Sequence, residues 1–107
     1  MDRAQIYYRQ SIEIDPQYHW PHGNLGGLLI ENDLDIAEGL ALVDKALELD
    51  PANPDHLEHK GWCLYKQGQY VEALAALERS WEQRPYYWHE SHTRLEAARK
   101  AVAEQRL

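Results

Sequence analysis

The feature that most constrains this chain is an internal repeat of 34 to 35 residues. The segment Ser11–Pro16 recurs as Ala46–Pro51 and, more weakly, as Ser80–Pro85, with shifts of 35 and 34 residues. Gly26 and Gly61 recur with the same offset. Self-similarity at this period indicates supersecondary units stacked in series, because one such unit cannot bury its apolar face alone.

Each repeat has the pattern of two helices. Small and apolar residues recur every three or four positions along Tyr70–Gln83, which is the spacing of one helix face. Pro54–Gln67 has the same periodicity, and Gln67–Gln69 supplies a glycine-containing turn between the two segments. A residue before proline is disfavoured in helices, so the second helix should end where a proline closes each copy.

The pattern predicts an all-α chain of six helices. Their expected bounds are Asp2–Ile14, Trp20–Asn32, Asp35–Glu48, Pro54–Gln67, Tyr70–Gln83 and Tyr87–Gln105. We expect a single domain, composed of a half repeat (residues 2–18), two repeats (19–53 and 54–87) and a C-terminal capping or half-repeat helix (87–105).

The second full copy carries the most specific motif. It comprises Leu57, Gly61, Leu64, Tyr65, Gly68, Tyr70, Ala73, Leu77, Ser80 and Pro85. These residues resemble the tetratricopeptide repeat (TPR) family over nearly the whole chain, although Ser80 replaces the usual alanine and Lys60 the usual leucine. The resemblance implies an α–α superhelix, a right-handed solenoid of about six antiparallel helices, that serves as a protein-binding scaffold.

Composition narrows the classes of partner. The 107 residues include 18 Asp and Glu against 11 Lys and Arg, for a formal net charge of −7. This balance argues against binding to nucleic acid or anionic membranes, which depends on basic patches. No apolar stretch approaches the ~20 residues that cross a bilayer, so no membrane insertion is expected. The first five residues lack a secretory pattern, which favours the cytoplasm unless the chain is a fragment of an exported protein.

No catalytic signature stands out. The sequence lacks a nucleophile motif, a glycine-rich phosphate loop and a metalloprotease helix, so we expect neither an enzyme nor a cofactor. A single cysteine, Cys63, excludes a disulfide within the chain and is expected to be a small buried hydrophobic residue.

The resemblance implies a concave groove lined by the first helix of each repeat. The predicted peptide-binding residues are Trp20, Asn24, His59, Trp62, Tyr65, Lys66, His92 and Arg99. Glu58 is expected to face the same groove. Trp62 and Tyr65 are the expected anchors, because large rigid aromatic side chains dominate many interfaces. The alternative is that both rings pack against a neighbouring helix.

The chain begins and ends half a repeat out of frame. Ile6, Tyr7, Tyr8 and Ile12 extend more than halfway around the first helix, so we expect a surface that another helix covers. One interpretation is a fragment of a longer array. The other is self-assembly into a homo-oligomer, in which the last helix of one molecule meets the first helix of the next.

The six histidines form three pairs with a spacing of three residues. The pairs are His19 and His22, His56 and His59, and His89 and His92. Such a spacing places two rings on one helix face, but zinc needs three or four ligands. We therefore predict no metal site; the candidates for one would be His56, His59, His89 and His92. Polar residues near helix starts are the simpler explanation.

Overall fold

The computed structural model describes residues 3–84 and 88–106, and within these ranges it contains six helices and no strand. The helices are α1 (Arg3–Ile14), α2 (His19–Glu31), α3 (Ile36–Leu49), α4 (Pro54–Lys66), α5 (Tyr70–Gln83) and α6 (His89–Gln105). The predicted all-α class is confirmed.

Side-chain capping explains where α3 and α4 begin. The side chain of Asp35 accepts a hydrogen bond from the amide of Glu38, so α3 begins one residue later than predicted. Asn53 accepts from the amides of Asp55 and His56 at 2.9 and 3.2 Å, and α4 begins at the proline that follows it, as predicted.

The remaining described bounds agree with the prediction to within two residues. α2 is shifted by one residue toward the N-terminus, α3 ends one residue later and α4 one residue earlier, whereas α5 has both predicted ends. α6 begins at His89 with Trp88 as its N-cap residue. The predicted first residues of the two outer helices, Asp2 and Tyr87, lie outside the described residues.

Each helix pair turns through a residue in the left-handed region. Gly68 between α4 and α5 has φ of +81°, which glycine adopts without steric cost. Asp33 has φ of 52° in the corresponding turn between α2 and α3, and aspartate is one of the few other residues that visit this region.

The contacts divide the chain into an N-terminal unit, Met1–Pro51, and a C-terminal unit, Ala52–Leu107. In the N-terminal unit, α2 packs closely on α3 because both contribute a glycine. A methyl group added to Gly26 would lie 2.7 Å from the carbonyl oxygen of Gly39. One added to Gly39 would lie 2.9 Å from that of Gly26. The core around this crossing consists of Leu25, Leu29, Ile30, Val43 and Ala46.

The core of the C-terminal unit is formed by α4, α5 and α6. Its buried apolar residues are Leu57, Cys63, Leu64, Ala73, Leu77, Leu95, Ala98 and Val102. A methyl group on Gly61 would lie 2.6 Å from Cγ of Leu77, so the glycine is needed where α4 crosses α5. Cys63 has no exposed surface, as predicted from the sequence.

Helix α1 is the least buried element among the described residues, since none of its side chains is classed as buried. It contacts α2, and a two-point ion pair joins it to α3: the Arg9 guanidinium donates to both oxygens of Glu38 at 2.9 and 3.0 Å. These hydrogen bonds lower the pKa of Glu38 and raise the pKa of Arg9.

None of the described helices combines the length and the apolar character needed to cross a membrane.

Candidate functional site

An open cleft of about 400 Å³ lies between α1 and α2 in the N-terminal unit. We call it the α1–α2 cleft, and its lining residues are Tyr7, Tyr8, Ser11, Ile14, Asp15, Tyr18, Trp20, Pro21 and Asn24. Four of these nine residues are aromatic, and Asp15 is the one that carries a carboxylate. The cleft therefore offers a mostly apolar wall with one acidic group.

Helical spacing and a short link bring these side chains together. Tyr7, Ser11 and Ile14 recur at three and four positions, so they share one face of α1. The amide of Asp15 donates to the carbonyl of Ser11, and its own carbonyl accepts from the amide of Tyr18 at 3.2 Å. This link places Tyr18 beside the first turn of α2, where it also lines the cleft.

Much of the aromatic wall is open to solvent. Tyr7 is 65% exposed and meets Tyr8 edge to face, with ring centroids 5.7 Å apart. Trp20 is half-buried, and its ring lies 4.8 Å from that of His19. The Nε2 atom of His19 is 3.6 Å from the carboxylate of Asp50. Such a wall can accept apolar groups and, through the ring faces, cationic ones.

The C-terminal unit presents an aromatic stack on α4. The rings of Trp62 and Tyr65 lie parallel within 6°, with centroids 4.7 Å apart. The guanidinium of Arg94 lies 4.8 Å over the Trp62 ring, and Tyr70 approaches Tyr65 at 5.3 Å. Trp62 is therefore half-buried, between Tyr65 of its own helix and Arg94 of α6.

Tyr65 also lines a second cleft, of about 320 Å³, between α4 and α6. Its other lining residues are Ala97, Lys100, Ala101 and Glu104. This cleft combines one aromatic ring with charges of both signs.

The structure brings two pairs of the predicted peptide-binding residues together. Trp20 and Asn24 lie in the α1–α2 cleft, and Trp62 and Tyr65 form the stack on α4. His59 is half-buried in α4, and Lys66 is exposed at the last position of the same helix.

His92 and Arg99 lie apart from the Tyr65 cleft. The ring of His92 packs 5.7 Å from Trp81 of α5, and Arg99 donates to Glu96 at 2.6 Å. Neither residue lines the cleft that α6 forms with Tyr65. Their placement follows from helical periodicity, because they occupy a different strip of α6.

The expectation that Glu58 faces a groove was wrong. Its carboxylate is 9% exposed and accepts hydrogen bonds from Arg84 at 3.0 Å, from Arg94 at 3.2 Å and from the hydroxyl of Ser91. Arg94 also donates to Glu90 at 3.0 Å. A buried carboxylate with two guanidinium partners joins α4 to the end of α5 and to α6, and serves packing rather than partner contact.

Sequence reasoning missed this cluster, although the repeat contained a signal for it. Arg84 stands where the other two copies carry Asp15 and Asp50. A change from acid to base at one repeat position indicates new partners, which are the carboxylates of Glu58, at 3.0 Å, and Asp55, at 3.3 Å.

The predicted metal candidates are distributed between core and surface. His56 is completely buried, His59 and His92 are half-buried, and His89 is exposed. Among residues 3–84 and 88–106, no three His, Cys, Asp or Glu side chains are grouped closely enough to hold a metal ion.

The predicted assembly residues divide between two environments. Tyr7 and Tyr8 line the α1–α2 cleft, so they share it with the predicted peptide-binding residues Trp20 and Asn24. Ile6 and Ile12 do not line the cleft: Ile6 is 42% exposed, and Ile12 is half-buried.

The helices, their spacing and the glycine crossings define the class of helical-hairpin repeat proteins. A family model described as "Tetratricopeptide repeat" matches residues 35–95, which is more than half of the chain, and the chain belongs to this family.

The chain is also similar to the crystal structure of YrrB, described as a TPR protein with an unusual peptide-binding site. The TM-score is 0.81 at 22% sequence identity, and the match covers 90% of this chain and 48% of that one. The chain thus spans about half the length of YrrB, and at this identity the likeness shows the fold alone. The expected all-α superhelical fold is confirmed. A search of curated proteins found no match.

Proposed function

We propose that this chain is a non-enzymatic scaffold or adaptor module that binds a protein or peptide partner. The observation that carries the proposal is the α1–α2 cleft: an open, aromatic surface on a fold whose family serves in protein interactions, containing the predicted residues Trp20 and Asn24. That YrrB is described as having a peptide-binding site supports the same kind of partner.

The chemistry of the cleft fits peptide binding. Tyr7 and Trp20 offer large rigid contact areas that lose little side-chain entropy on binding. The amide of Asn24 can donate to a peptide carbonyl and accept from a peptide amide. Asp15 adds attraction for a positively charged group.

The C-terminal unit supplies a second proposed contact surface. Tyr65 is its centre, because it combines stacking on Trp62 with a position in a cleft. We keep the other predicted residues in this proposal as polar contacts: His59 and Lys66 on the same helix as Tyr65, and His92 and Arg99 on another strip of α6.

Selection from a display library of random linear peptides tests the proposal. Peptides enriched on the native chain should bind Trp20→Ala and Tyr7→Ala at least about tenfold more weakly, a loss of about 1.4 kcal/mol. Val71→Ala is the matched control, since Val71 is an exposed apolar residue of α5. Enriched peptides that bind all three variants equally would contradict the proposed cleft, and a library that yields no specific peptide would contradict the function.

Head-to-tail self-assembly is the second candidate function. The exposure of α1 favours it, because Tyr7 and Ile14 present apolar surface to solvent. The mass of the chain in solution distinguishes the two candidates, as argued in the Discussion.

A further inference from the structure

We propose that the α1–α2 cleft holds an amphipathic helix of a basic protein partner, which covers α1 as α2 covers α3 and α4 covers α5. The inference rests on the proposed function and specifies its partner. It follows from three observations: the repeat positions left uncovered on α1, the position of one serine hydroxyl, and the distribution of charge.

The internal repeat identifies which face of α1 is incomplete. Tyr8 occupies the repeat position of Val43 on α3 and Leu77 on α5. Val43 and Leu77 are 0% and 2% exposed, whereas Tyr8 is only half-buried and lines the open cleft. The face that is buried in the other two copies is therefore available on α1.

In the two complete copies, this face is covered by a helix that carries a glycine. A methyl group on Gly26 of α2 would lie 2.7 Å from Cγ2 of Val43, and one on Gly61 of α4 would lie 2.6 Å from Cγ of Leu77. A helix seated over Tyr8 in the same manner needs a small residue at the crossing, because two backbones approach closely there.

A serine hydroxyl marks where such a helix would begin. In the C-terminal unit, Ser80 of α5 donates to the carbonyl of Pro54, the first residue of the covering helix α4, at 2.7 Å. Ser11 occupies the same repeat position on α1, but it donates to Tyr7 of its own helix at 2.9 Å. Ser11 lines the cleft, so rotation of its hydroxyl would let it donate to the first turn of a docked helix.

The charge distribution favours a basic occupant. Residues 1–51 hold ten Asp and Glu against three Lys and Arg, whereas residues 52–107 hold eight of each. The first segment thus accounts for the whole formal net charge of −7, and Asp15 contributes a carboxylate within the cleft. Two copies of this acidic segment would repel each other, whereas lysine and arginine on a partner would be attracted.

Helix α6 of a second copy is a poor fit for this position. Leu95 stands at the repeat position of Gly26 and Gly61, and it is 2% exposed, packed with Leu77 and Ala98. A helix with leucine at the crossing cannot approach as closely as one with glycine, and freeing Leu95 would disrupt its own core. A separate partner helix with a small residue suits the cleft better.

Synthetic helices with the sequence of α4 provide the probe, because α4 is a covering helix of this chain. The parent peptide comprises residues 53–67 with Cys63→Ala, a fluorescent label and a lactam between two outward-facing positions, since isolated short helices are marginal in water. Three derivatives are needed: a basic peptide with Asp55→Lys and Glu58→Lys, an acidic peptide with Lys60→Glu and Lys66→Glu, and the basic peptide with Gly61→Leu.

Fluorescence anisotropy should show that the full chain binds the basic peptide at least about tenfold more tightly than the acidic peptide at low salt. Added salt should reduce this difference by screening. The Gly61→Leu peptide should bind at least about tenfold more weakly than its glycine parent, because its side chain prevents the close crossing. Equal binding of the basic and acidic peptides, or of the glycine and leucine peptides, would overturn the inference.

A variant whose cleft is filled by a large side chain tests whether the basic peptide binds in the α1–α2 cleft. Ser11→Trp fills the cleft of the full chain, and Val71→Trp places the same side chain on an exposed position of α5. The basic peptide should lose at least about tenfold in affinity for the first variant and none for the second. Circular dichroism should be unchanged in both. Binding that survives Ser11→Trp would overturn the inference, as would an increase in mass without peptide that this variant abolishes, since the occupant would then be a second copy.

This outcome is separable from the test of the proposed function. Library peptides that lose affinity for Trp20→Ala but are neither helical nor basic would support the peptide-binding function and contradict the basic helix as the occupant. If no library peptide loses affinity for Trp20→Ala and the basic peptide also does not bind in the cleft, both proposals are contradicted.

Discussion

Glycine positions control how closely the helices of this protein approach one another. Gly26 and Gly39 bring two backbones together in the N-terminal unit, and Gly61 lets α4 approach Leu77 in the other. Gly68 has a different role, because an added methyl group there would meet nothing within 4 Å and only its φ of +81° requires glycine. Space is therefore the constraint at three positions and backbone conformation at the fourth.

Gly61→Ala should lower the free energy of unfolding by about 1–3 kcal/mol, the usual cost of overpacking a well-packed core. The reason is that the new methyl group would lie 2.6 Å from Cγ of Leu77, which is itself buried. Urea unfolding followed by circular dichroism measures the change. Arg79→Ala, on an exposed position of α5, should stay within about 0.5 kcal/mol of the native chain. An unchanged urea midpoint for Gly61→Ala would show that Leu77 yields without cost.

At the scale of elements, charged side chains hold the two outer helices in different ways. Helix α6 is joined to α4 through the buried Glu58, whereas α1 is joined to α3 through the half-exposed pair of Arg9 and Glu38. A buried charge is costly to leave alone, while an exposed pair contributes little. The two helices should therefore respond differently to loss of a carboxylate.

Glu58→Gln should cost about 1–3 kcal/mol of stability, because Arg84 and Arg94 lose their shared buried carboxylate and keep only the more exposed Asp55, at 3.3 Å, and Glu90, at 3.0 Å. Amide hydrogen exchange should show faster opening of α6, and urea unfolding should report the loss. Glu82→Gln, an exposed position of α5, is the control and should change neither measurement. Native-like exchange in α6 after Glu58→Gln would mean that apolar packing alone holds this helix.

The contribution of the Arg9–Glu38 pair should depend on pH. The hydrogen bonds from Arg9 lower the pKa of Glu38 in the folded chain. Glu38 therefore adds its full stability above the ordinary carboxyl pKa, and this contribution is lost as the pH falls through the lowered pKa. Glu38→Gln should cost about 0.5 kcal/mol near neutral pH, after allowance for solvent screening. The difference from the native chain should vanish in acid, as urea unfolding at several pH values would show. If the difference in free energy of unfolding between Glu38→Gln and the native chain grew in acid, the ion pair with Arg9 would not be its cause.

At the scale of the whole molecule, the formal net charge is concentrated in one half of the sequence. Residues 1–51 carry all of it, and residues 52–107 are balanced. The acidic half also contains the α1–α2 cleft and the least buried helix, α1. An exposed apolar surface within an acidic segment favours a basic partner over a second copy of the chain.

The chain should remain at 12.5 kDa over a wide concentration range at low salt, as measured by light scattering behind a sizing column. Two physical reasons support this: Leu95 in place of glycine on α6 disfavours head-to-tail contact with α1, and repulsion between acidic N-terminal segments disfavours a head-to-head pair. Added chelator should change nothing. Growth in mass with concentration that Tyr8→Glu abolishes would instead support head-to-tail assembly.

The sequence predicted the elements because they depend on local information. The repeat period, the glycine turn at Gly68 and the prolines after each second helix located all six helices to within two residues at the described ends. Cap chemistry explains the difference at the start of α3, where Asp35 lies outside the helix that it caps. The same local pattern placed Trp20 and Asn24 one turn apart on α2.

The same local pattern did not predict which side chains of different helices contact each other. The resemblance to the family implied that Glu58 faces the groove, but Arg84 and Arg94 come from other parts of the chain and bury its carboxylate. Likewise, the sequence assigned Tyr7 and Tyr8 to an assembly surface and Trp20 to a groove, whereas the fold brings them into one cleft.

The sequence by itself therefore determined the repeat, the helices and the family, since each follows from residues close together in the chain. Only the tertiary structure decided which charges are buried and which side chains share a cleft. Those properties depend on the distance between residues far apart in sequence, and the repeat period does not specify them.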